Sequence, residues 1–444
     1  MNPHLRDVAI PNDWDRRGLP GWSYHSDALL ELEKEYVFRN HWQIAGHVSD
    51  VPNAGDYLTM DVVGERALIV RGKDGVVRAF NNMCRHRGSR VVADSQGTCK
   101  NALVCPFHGW VYNLDGTLRG AARPRSFPDL DKTEFGLMPL DLEIWMGFIF
   151  IRFRKGGPQP SVAELLKPIE AEMAHYGVAD MVPSWGIWTQ KSPVNWKSVR
   201  DVDNEGYHVA MAHPALQDLY GATYFDEPFI NGVSRSFATY NPHAGRRWSV
   251  GQYIKLAPEA AHLPEHLRKA WIYYGIFPNN ALSIMPESVQ FYQEFPLSTG
   301  ETLLRGAIYR YPDETREQAA ARYLAYRIDR DTMNEDVQLS VWSNESMLSE
   351  AFEGFYLSDL EYGVRTHHDH LRKQIPVLGL ETAPEEKDMW ALNDALRSQS
   401  QDGTAKPPIS PLVGAGQRGR EGSRAFESTS DSAENWRDDA PRIG

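Results

Sequence analysis

Two histidines, His208 and His213, stand five residues apart in the stretch 195–214, NWKSVRDVDNEGYHVAMAHP. Glu205 precedes His208 by three residues, and Asp201 precedes Glu205 by four. Imidazoles beside carboxylates suit a divalent transition metal. The spacing constrains the shape. Each residue of an ideal helix turns about 100°, so a five-residue step leaves the two rings roughly 140° apart. They cannot share one ion on an undistorted helix. Pro214 biases His213 away from helical geometry. The sequence therefore predicts a helix that breaks after Met211 and swings His213 back toward His208. The alternative is a buried helix end that carries two satisfied histidines.

A second set of donors lies upstream. Cys84-Arg85-His86 is a C-x-H unit, Cys105-Pro106-Phe107-His108 is a C-x2-H unit, and eighteen residues separate His86 from Cys105. Two thiolates with two imidazoles hold either a structural zinc ion or a Rieske-type [2Fe–2S] cluster, in which two histidines replace two cysteines on one iron. Three features favour the cluster. Each cysteine has its own histidine, as two facing loops need if each gives one ligand to each iron. Gly88 and Gly109 permit tight turns and a close backbone approach to the sulfides. The flanking sequence is rich in short β runs, unlike a zinc finger. Cys99 lies outside both units and reads as a small buried hydrophobe.

These donors must be held by ordered elements. The chain has 444 residues, 42% hydrophobic and 11% aromatic, which suits two domains or one large domain with an insertion. Lys and Arg number 47 against 59 Asp and Glu, a net charge of −12, and an acidic chain is a poor partner for nucleic acid. No run of 18 apolar residues exists to span a membrane, and residues 1–18 lack the apolar core of a signal peptide. With only three cysteines, a disulfide framework is not expected. These features predict a cytoplasmic protein.

Residues 26–44 read as a helix capped at Ser26. From 45 to 120 short β runs alternate with turns, with a hairpin at Lys73-Asp74-Gly75. EIWMGFIFIRF at 143–153 reads as a β run. A helix follows Ser161, with Glu164 as its capping-box partner. Strands are predicted at SWGIWTQKSPV, VSRSFATY, WSVGQYIKL, AWIYYGIFPN, ALSIMPESVQFYQEFPL and TLLRGAIYRYP, in one antiparallel sheet. A long helix spans 313–348. Beyond 397 the chain turns to Ser, Gly, Pro and charge, a composition that predicts a flexible tail.

CRHRG at 84–88, CPFHGWVYNLDGTL at 105–118, the D-x3-E-x2-H-x4-H spacing at 201–213 and LSDLEYGVRTHHDHLRK at 357–373 resemble the oxygenase component of Rieske non-heme iron oxygenases, which hydroxylate aromatic rings or demethylate oxidatively. GDYLTMDVVGERALIVRGKDG within 21–110 resembles the same family, and the likeness covers roughly residues 20–380. It implies an α+β fold: a small all-β Rieske domain plus a helix-grip catalytic domain, a curved antiparallel sheet covered by helices. The implied division is a helical segment at 1–44 packing on the catalytic domain, a Rieske domain at 45–160, a catalytic domain at 161–396 and the tail at 397–444.

The resemblance also implies roles. Cys84, His86, Cys105 and His108 would hold the [2Fe–2S] cluster. His208, His213 and Asp336 would hold a mononuclear Fe(II) in a facial triad, a geometry suited to O2 activation, with Glu335 the nearest competitor for the third position. Glu205 would be a catalytic bridge between His108 of one subunit and His208 of the next, in a homotrimer. Asp201 matches the outer acid of the motif and would be a second catalytic acid beside Glu205. Most ring-hydroxylating relatives carry Asp at the Glu205 position, and Glu appears among relatives that act on quaternary amines. The implied function is a terminal oxygenase that hydroxylates or oxidatively demethylates a small organic substrate, an aromatic compound or a quaternary amine or betaine. No Gly-rich dinucleotide fingerprint occurs, so NAD(P)H would act only through a separate flavin/iron–sulfur reductase. The substrate pocket is expected between the 195–213 helix and the strands at 271–310. The competing reading is a Rieske-type electron carrier with a non-oxygenase ligand-binding domain, against which stands the second metal motif.

Overall fold

Ser26 starts the first helix, α1 (Asp27–Glu33), by accepting the N–H of Leu29 at 3.2 Å. The computed structural model describes residues 10–401 apart from 158, 242 and 350. The helical segment ends before the predicted 44: a π-helical turn at Lys34–Phe38 follows, and the chain enters strand β1 (Gln43–His47), buried throughout. Leu29, Leu32, Val37 and Phe38 form the buried face.

The next strands are β2 (Asp56–Val62), β3 (Glu65–Arg71), β4 (Val77–Asn81), β5 (Gln96–Thr98), β6 (Leu103–Val104), β7 (Val111–Tyr112) and β8 (Leu118–Gly120). They make two antiparallel sheets, β4-β3-β2-β5 and β6-β7-β8. The β3–β4 connection is the predicted hairpin, and Gly75 takes φ +79° there. Tyr57, Leu68, Phe80, Leu103 and Tyr112 pack between the sheets.

EIWMGFIFIRF is a hairpin rather than one strand. Strand β9 (Asp141–Trp145) turns at Met146 and Gly147, both at positive φ, into β10 (Phe148–Arg152). Strand β10 pairs with β1. Asn280 and Arg305 of the large sheet bond the backbone of Trp42, Ile44 and Ala45 at this edge. These buried bonds stitch the sequence regions on either side of 45 and 160 together, and the described residues belong to one compact unit.

The Ser161–Glu164 capping box forms as predicted at α2 (Val162–Leu165), and Pro168 then restarts the helix as α3 (Lys167–Met173). The remaining elements, in order, are β11 (Val182–Pro183), β12 (Trp188–Ser192), α4 (Trp196–Asp203), α5 (Val209–Ala212), α6 (Pro214–Tyr220), β13 (Phe225–Ile230), β14 (Val233–Thr239), α7 (Trp248–Leu256), β15 (Ala270–Ile276), β16 (Asn280–Met285), β17 (Ser288–Ser298), β18 (Glu301–Arg310), α8 (Arg316–Ser346), α9 (Tyr362–Gln374) and α10 (Met389–Gln401). Eight strands form one antiparallel sheet, β11-β18-β17-β16-β15-β14-β13, with β12 also on β18. Helix α8 packs with α4, α6 and α7.

WSVGQYIKL is helix α7, not a strand. Its aromatic and β-branched content suggested β structure, but Val250 and Tyr253 are buried three residues apart while Trp248 is exposed, which is helical spacing. The carboxylate of Asp218 fixes the entry to this helix by accepting the N–H groups of Gly245, Arg246 and Arg247. The predicted 281–297 strand is the β16–β17 hairpin. Strand β13, FDEPFI, has weak strand character of its own and is held by pairing with β14. Helix α10 carries order across the expected boundary at 397, since Met389 is buried and Asn393 accepts the N–H of Val377. The rest of the expected tail lies outside the described residues. Among those described, no helix is long and apolar enough to cross a membrane.

Candidate metal centres

The helix carrying the histidine motif breaks earlier than predicted. Asn195 caps α4 by accepting the N–H of Lys197 at 3.0 Å, and α4 ends at Asp203 rather than Met211. The chain then turns through 204–208. Gly206 occupies that turn, its N–H donating to Asp226 Oδ2 at 2.7 Å, and a Cβ there would lie 1.9 Å from the Tyr224 ring. One helical turn, α5, follows. A second break at His213 lets Pro214 start α6.

The two breaks bring the rings together. His208 Nε2 lies 2.9 Å from His213 Nε2. Helix α8 supplies Asp336, whose Oδ1 is 2.9 Å from His213 Nε2 and 3.4 Å from His208 Nε2. One donor atom from each of the three lies within 4.8 Å of the others. Glu335 does not join them; it meets the far nitrogen of His213, Oε2 to Nδ1 at 2.9 Å. Glu205 does the same for His208, bonding Nδ1 and accepting the His208 backbone N–H at 3.2 Å. A carboxylate on each Nδ1–H directs each Nε2 lone pair into the cluster and raises its basicity.

The donor set fits a cation. Asp336 Oδ1 is buried and accepts no well-aligned hydrogen bond. Burial opposes a charge on His208, yet the carboxylates of Asp336 and Glu205 outweigh it and lift the pKa to about 10. Burial also opposes a charge on His213, which Asp336 and Glu335 nonetheless raise. Burial pushes Asp336 up, but the two imidazoles leave it below its ordinary value. A site this negative calls for positive charge, and two imidazoles with one carboxylate suit Fe(II).

Asp201, expected among the catalytic acids, touches none of these groups. Its Oδ1 accepts from His368 Nε2 at 2.7 Å, and its Oδ2 accepts from the Tyr24 hydroxyl. His368 Nδ1 accepts the N–H of Leu19 at 3.2 Å, which sets the tautomer. Asp201 thus ties α4 to α9 and to the N-terminal segment. Four residues separate it from Glu205, but the end of α4 at Asp203 removes the helical adjacency that this spacing implied.

The upstream loops repeat one design. Gly88 N–H donates to Cys84 O at 2.9 Å and Gly109 N–H to Cys105 O at 3.0 Å, with φ of +74° and +67° at the two glycines. Cys84 and Cys105 are buried, and Tyr112 Oη lies 3.2 Å from Cys84 Sγ. His86 and His108 are half-buried with ring centroids 4.7 Å apart, and Trp110 stacks on His86. Thiols inside and imidazoles outside match a two-iron cluster whose outer iron carries the histidines. Cys99 is half-buried against the same core, less enclosed than expected.

A cavity of about 150 Å³ opens beside His208, His213 and Asp336. As expected, the 195–213 segment and strands β15–β17 form two walls, with Asp203, Tyr273, Gln290 and Tyr292 among the lining groups. Helix α8 is a third wall that sequence reasoning missed, through Asp329, Thr332 and Met333. The signal was present: positions 329, 332, 333 and 336 share one helical face.

The family model described as Rieske [2Fe-2S] domain matches residues 41–131, and the model described as Ring hydroxylating alpha subunit (catalytic domain) matches residues 179–376. The first settles the choice between zinc and cluster in favour of the cluster. The second provides for a mononuclear iron and leaves no room for a simple electron carrier. Over 331 residues the chain is 29% identical to the carnitine monooxygenase oxygenase subunit of Escherichia coli (strain K12), spanning 72% of this chain and 83% of that one. It is 34% identical over 198 residues to the glycine betaine monooxygenase oxygenase subunit of Pseudomonas aeruginosa, 45% of each chain. Its fold matches a solved quaternary ammonium Rieske monooxygenase with a TM-score of 0.68 at 24% identity, over 81% of this chain and 95% of that one. A chain that joins a Rieske [2Fe–2S] domain to a ring-hydroxylating catalytic domain belongs to the Rieske non-heme iron oxygenases.

Proposed function

We propose that this oxygenase inserts oxygen from O2 into a small quaternary ammonium substrate, such as a betaine. The carrying observation is the cavity beside His208, His213 and Asp336, walled by tyrosines and acids. Aromatic faces attract a methylammonium cation through the ring quadrupole, and relatives acting on carnitine and glycine betaine support the reading.

His208, His213 and Asp336 would hold the mononuclear iron, and Cys84, His86, Cys105 and His108 the cluster; bound there, the two centres supply O2 activation and single-electron delivery. The chain's own groups do the rest. Glu205 and Glu335 hold protons at the Nδ1 atoms of His208 and His213, so both rings keep one orientation. The tyrosine walls exclude water and receive the cation.

Electrons would arrive from NAD(P)H by way of a separate flavin/iron–sulfur reductase. The assembly would be a homotrimer in the cytoplasm, with the half-buried His108 of one subunit facing Glu205 of its neighbour. The test is turnover with such a reductase on a panel of aromatic carboxylates, glycine betaine, choline and carnitine, scored by product mass. Oxygenated products from quaternary ammonium compounds support the proposal. Turnover confined to aromatic acids overturns it.

A further inference from the structure

Asp329 sits seven residues before Asp336 on α8. Seven residues at 1.5 Å rise place the two positions about 10 Å apart along the axis, and close to two full turns put them on one face. Asp329 is half-buried and lines the cavity. Its partners are neutral: Gln290 donates to Oδ2, and the Tyr273 hydroxyl lies 3.5 Å from Oδ1. Among the described residues, no Lys, Arg or His forms an ion pair with it. Its neighbour Arg330 turns instead to Asp331, at 2.6 Å.

The other acids of the cavity are matched. Asp203 receives the Tyr292 hydroxyl at 2.5 Å and Arg200 at 2.8 Å. Glu205 and Asp336 face the two histidines. Asp329 is thus a half-buried carboxylate on the cavity wall with no ion-pair partner among the described residues, an arrangement that costs free energy unless a ligand supplies the cation. The tyrosines beside it, Tyr220 and Tyr273, are joined through their hydroxyls at 2.8 Å. Burial pushes Asp329 up to about 7, above the usual carboxylate range.

We propose that Asp329 selects the substrate by pairing with its permanent positive charge, holding the ammonium group between itself and the His208–His213–Asp336 cluster so that C–H bonds next to nitrogen meet the metal. This rests on the quaternary ammonium reading of the cavity. A quaternary ammonium group donates no hydrogen bond, so only an unmatched anion and aromatic faces distinguish it from a neutral group of equal shape. An axial interval of about 10 Å leaves room for one such group.

Charged and titratable groups near Asp329 bear on its pH response. They are Asp203 and Arg200 on α4, Tyr220 on α6, Tyr273 on β15, Arg330 on α8, and Glu287 at the β16–β17 turn. Burial raises both tyrosines, so they stay neutral. Burial also pushes Glu287 up to about 7, but it bonds Tyr253 away from the cavity lining.

The test compares choline, and glycine betaine as a second cation, with the neutral tert-butyl isostere of choline. Their binding to the iron- and cluster-loaded protein is measured anaerobically by calorimetry. Wild type should bind the cations at least roughly tenfold tighter than the isostere, the effect of about 1.4 kcal/mol. Its affinity should rise with pH through about 7 as Asp329 ionises, with proton release on binding. Asp329→Asn should keep its iron and cluster spectrum yet lose both the preference and the pH dependence, while Asp329→Glu restores part of the preference. An Asn variant that keeps the preference overturns the role of Asp329 and leaves the substrate reading standing. Wild type that binds no cation preferentially overturns both. Should the Asn variant fail to fold, proton release by wild type decides, and its absence near pH 6.5 overturns the proposal.

Discussion

Glu335 and Asp336 are consecutive on α8 yet grip opposite nitrogens of one ring: Glu335 Oε2 is 2.9 Å from His213 Nδ1, and Asp336 Oδ1 is 2.9 Å from His213 Nε2. One carboxylate faces the cluster of donor atoms while the other orients the imidazole from behind. The two acids are therefore not interchangeable.

Asp336→Ala should lose the mononuclear iron and keep the cluster iron and its visible spectrum. Glu335→Ala should keep a mononuclear site whose iron affinity falls about 10–100-fold. Iron counted per chain under a chelator series checks both. Iron lost from Glu335→Ala but held by Asp336→Ala would reverse the assignment.

Glu205→Ala should leave the cluster spectrum intact and stop product formation, because Glu205 holds His208 Nδ1 and would carry the link to His108. Rapid mixing of reduced protein with substrate and O2 measures the step. Cluster reoxidation and turnover at wild-type rates would refute the bridging role.

Gly206→Ala should cost activity out of proportion to its size. The added methyl would lie 1.9 Å from the Tyr224 ring, in the turn that sets both Glu205 and His208. The turn must shift, and the expected result is reduced mononuclear iron with an unchanged cluster, read by metal analysis.

Glu33→Ala should destabilise the fold by about 3–5 kcal/mol, the usual cost of leaving one buried charge unpaired. Lys197 Nζ lies 2.5 Å from Glu33 Oε1, Trp196 Nε1 donates to Oε2 at 2.7 Å, and both charged side chains are at most 1% exposed. The midpoint of denaturant unfolding measures the change.

Raising the pH from 5 to 8 should lower stability through Asp329 and Glu287. Burial raises each to about 7 in the folded chain, from ordinary values of 3.8 and 4.5. The fold then prefers the protonated forms, so their contribution is full below about pH 4 and lost as pH rises through 7. Asp329→Asn should flatten the fall in melting temperature across that range; an unchanged slope would refute the assignment to Asp329.

Sequence by itself determined whatever a short segment controls. The loops at 84–88 and 105–109 were legible because cysteine, histidine and a positive-φ glycine lie within five residues of one another, and each loop closes on its own backbone. The caps at Ser26 and Ser161 were legible for the same reason. The convergence of His208 and His213 needed a break, and Pro214 signalled one; the earlier break at 204–208 depends on Asp226 and Tyr224, some twenty residues on. Only the tertiary structure decided that Glu335 stands behind His213, that Asp201 serves α9, that WSVGQYIKL is a helix and that Asp329 faces the cavity. Each of these turns on contacts with residues distant in sequence, and neither propensity nor spacing within one segment encodes which distant groups will meet.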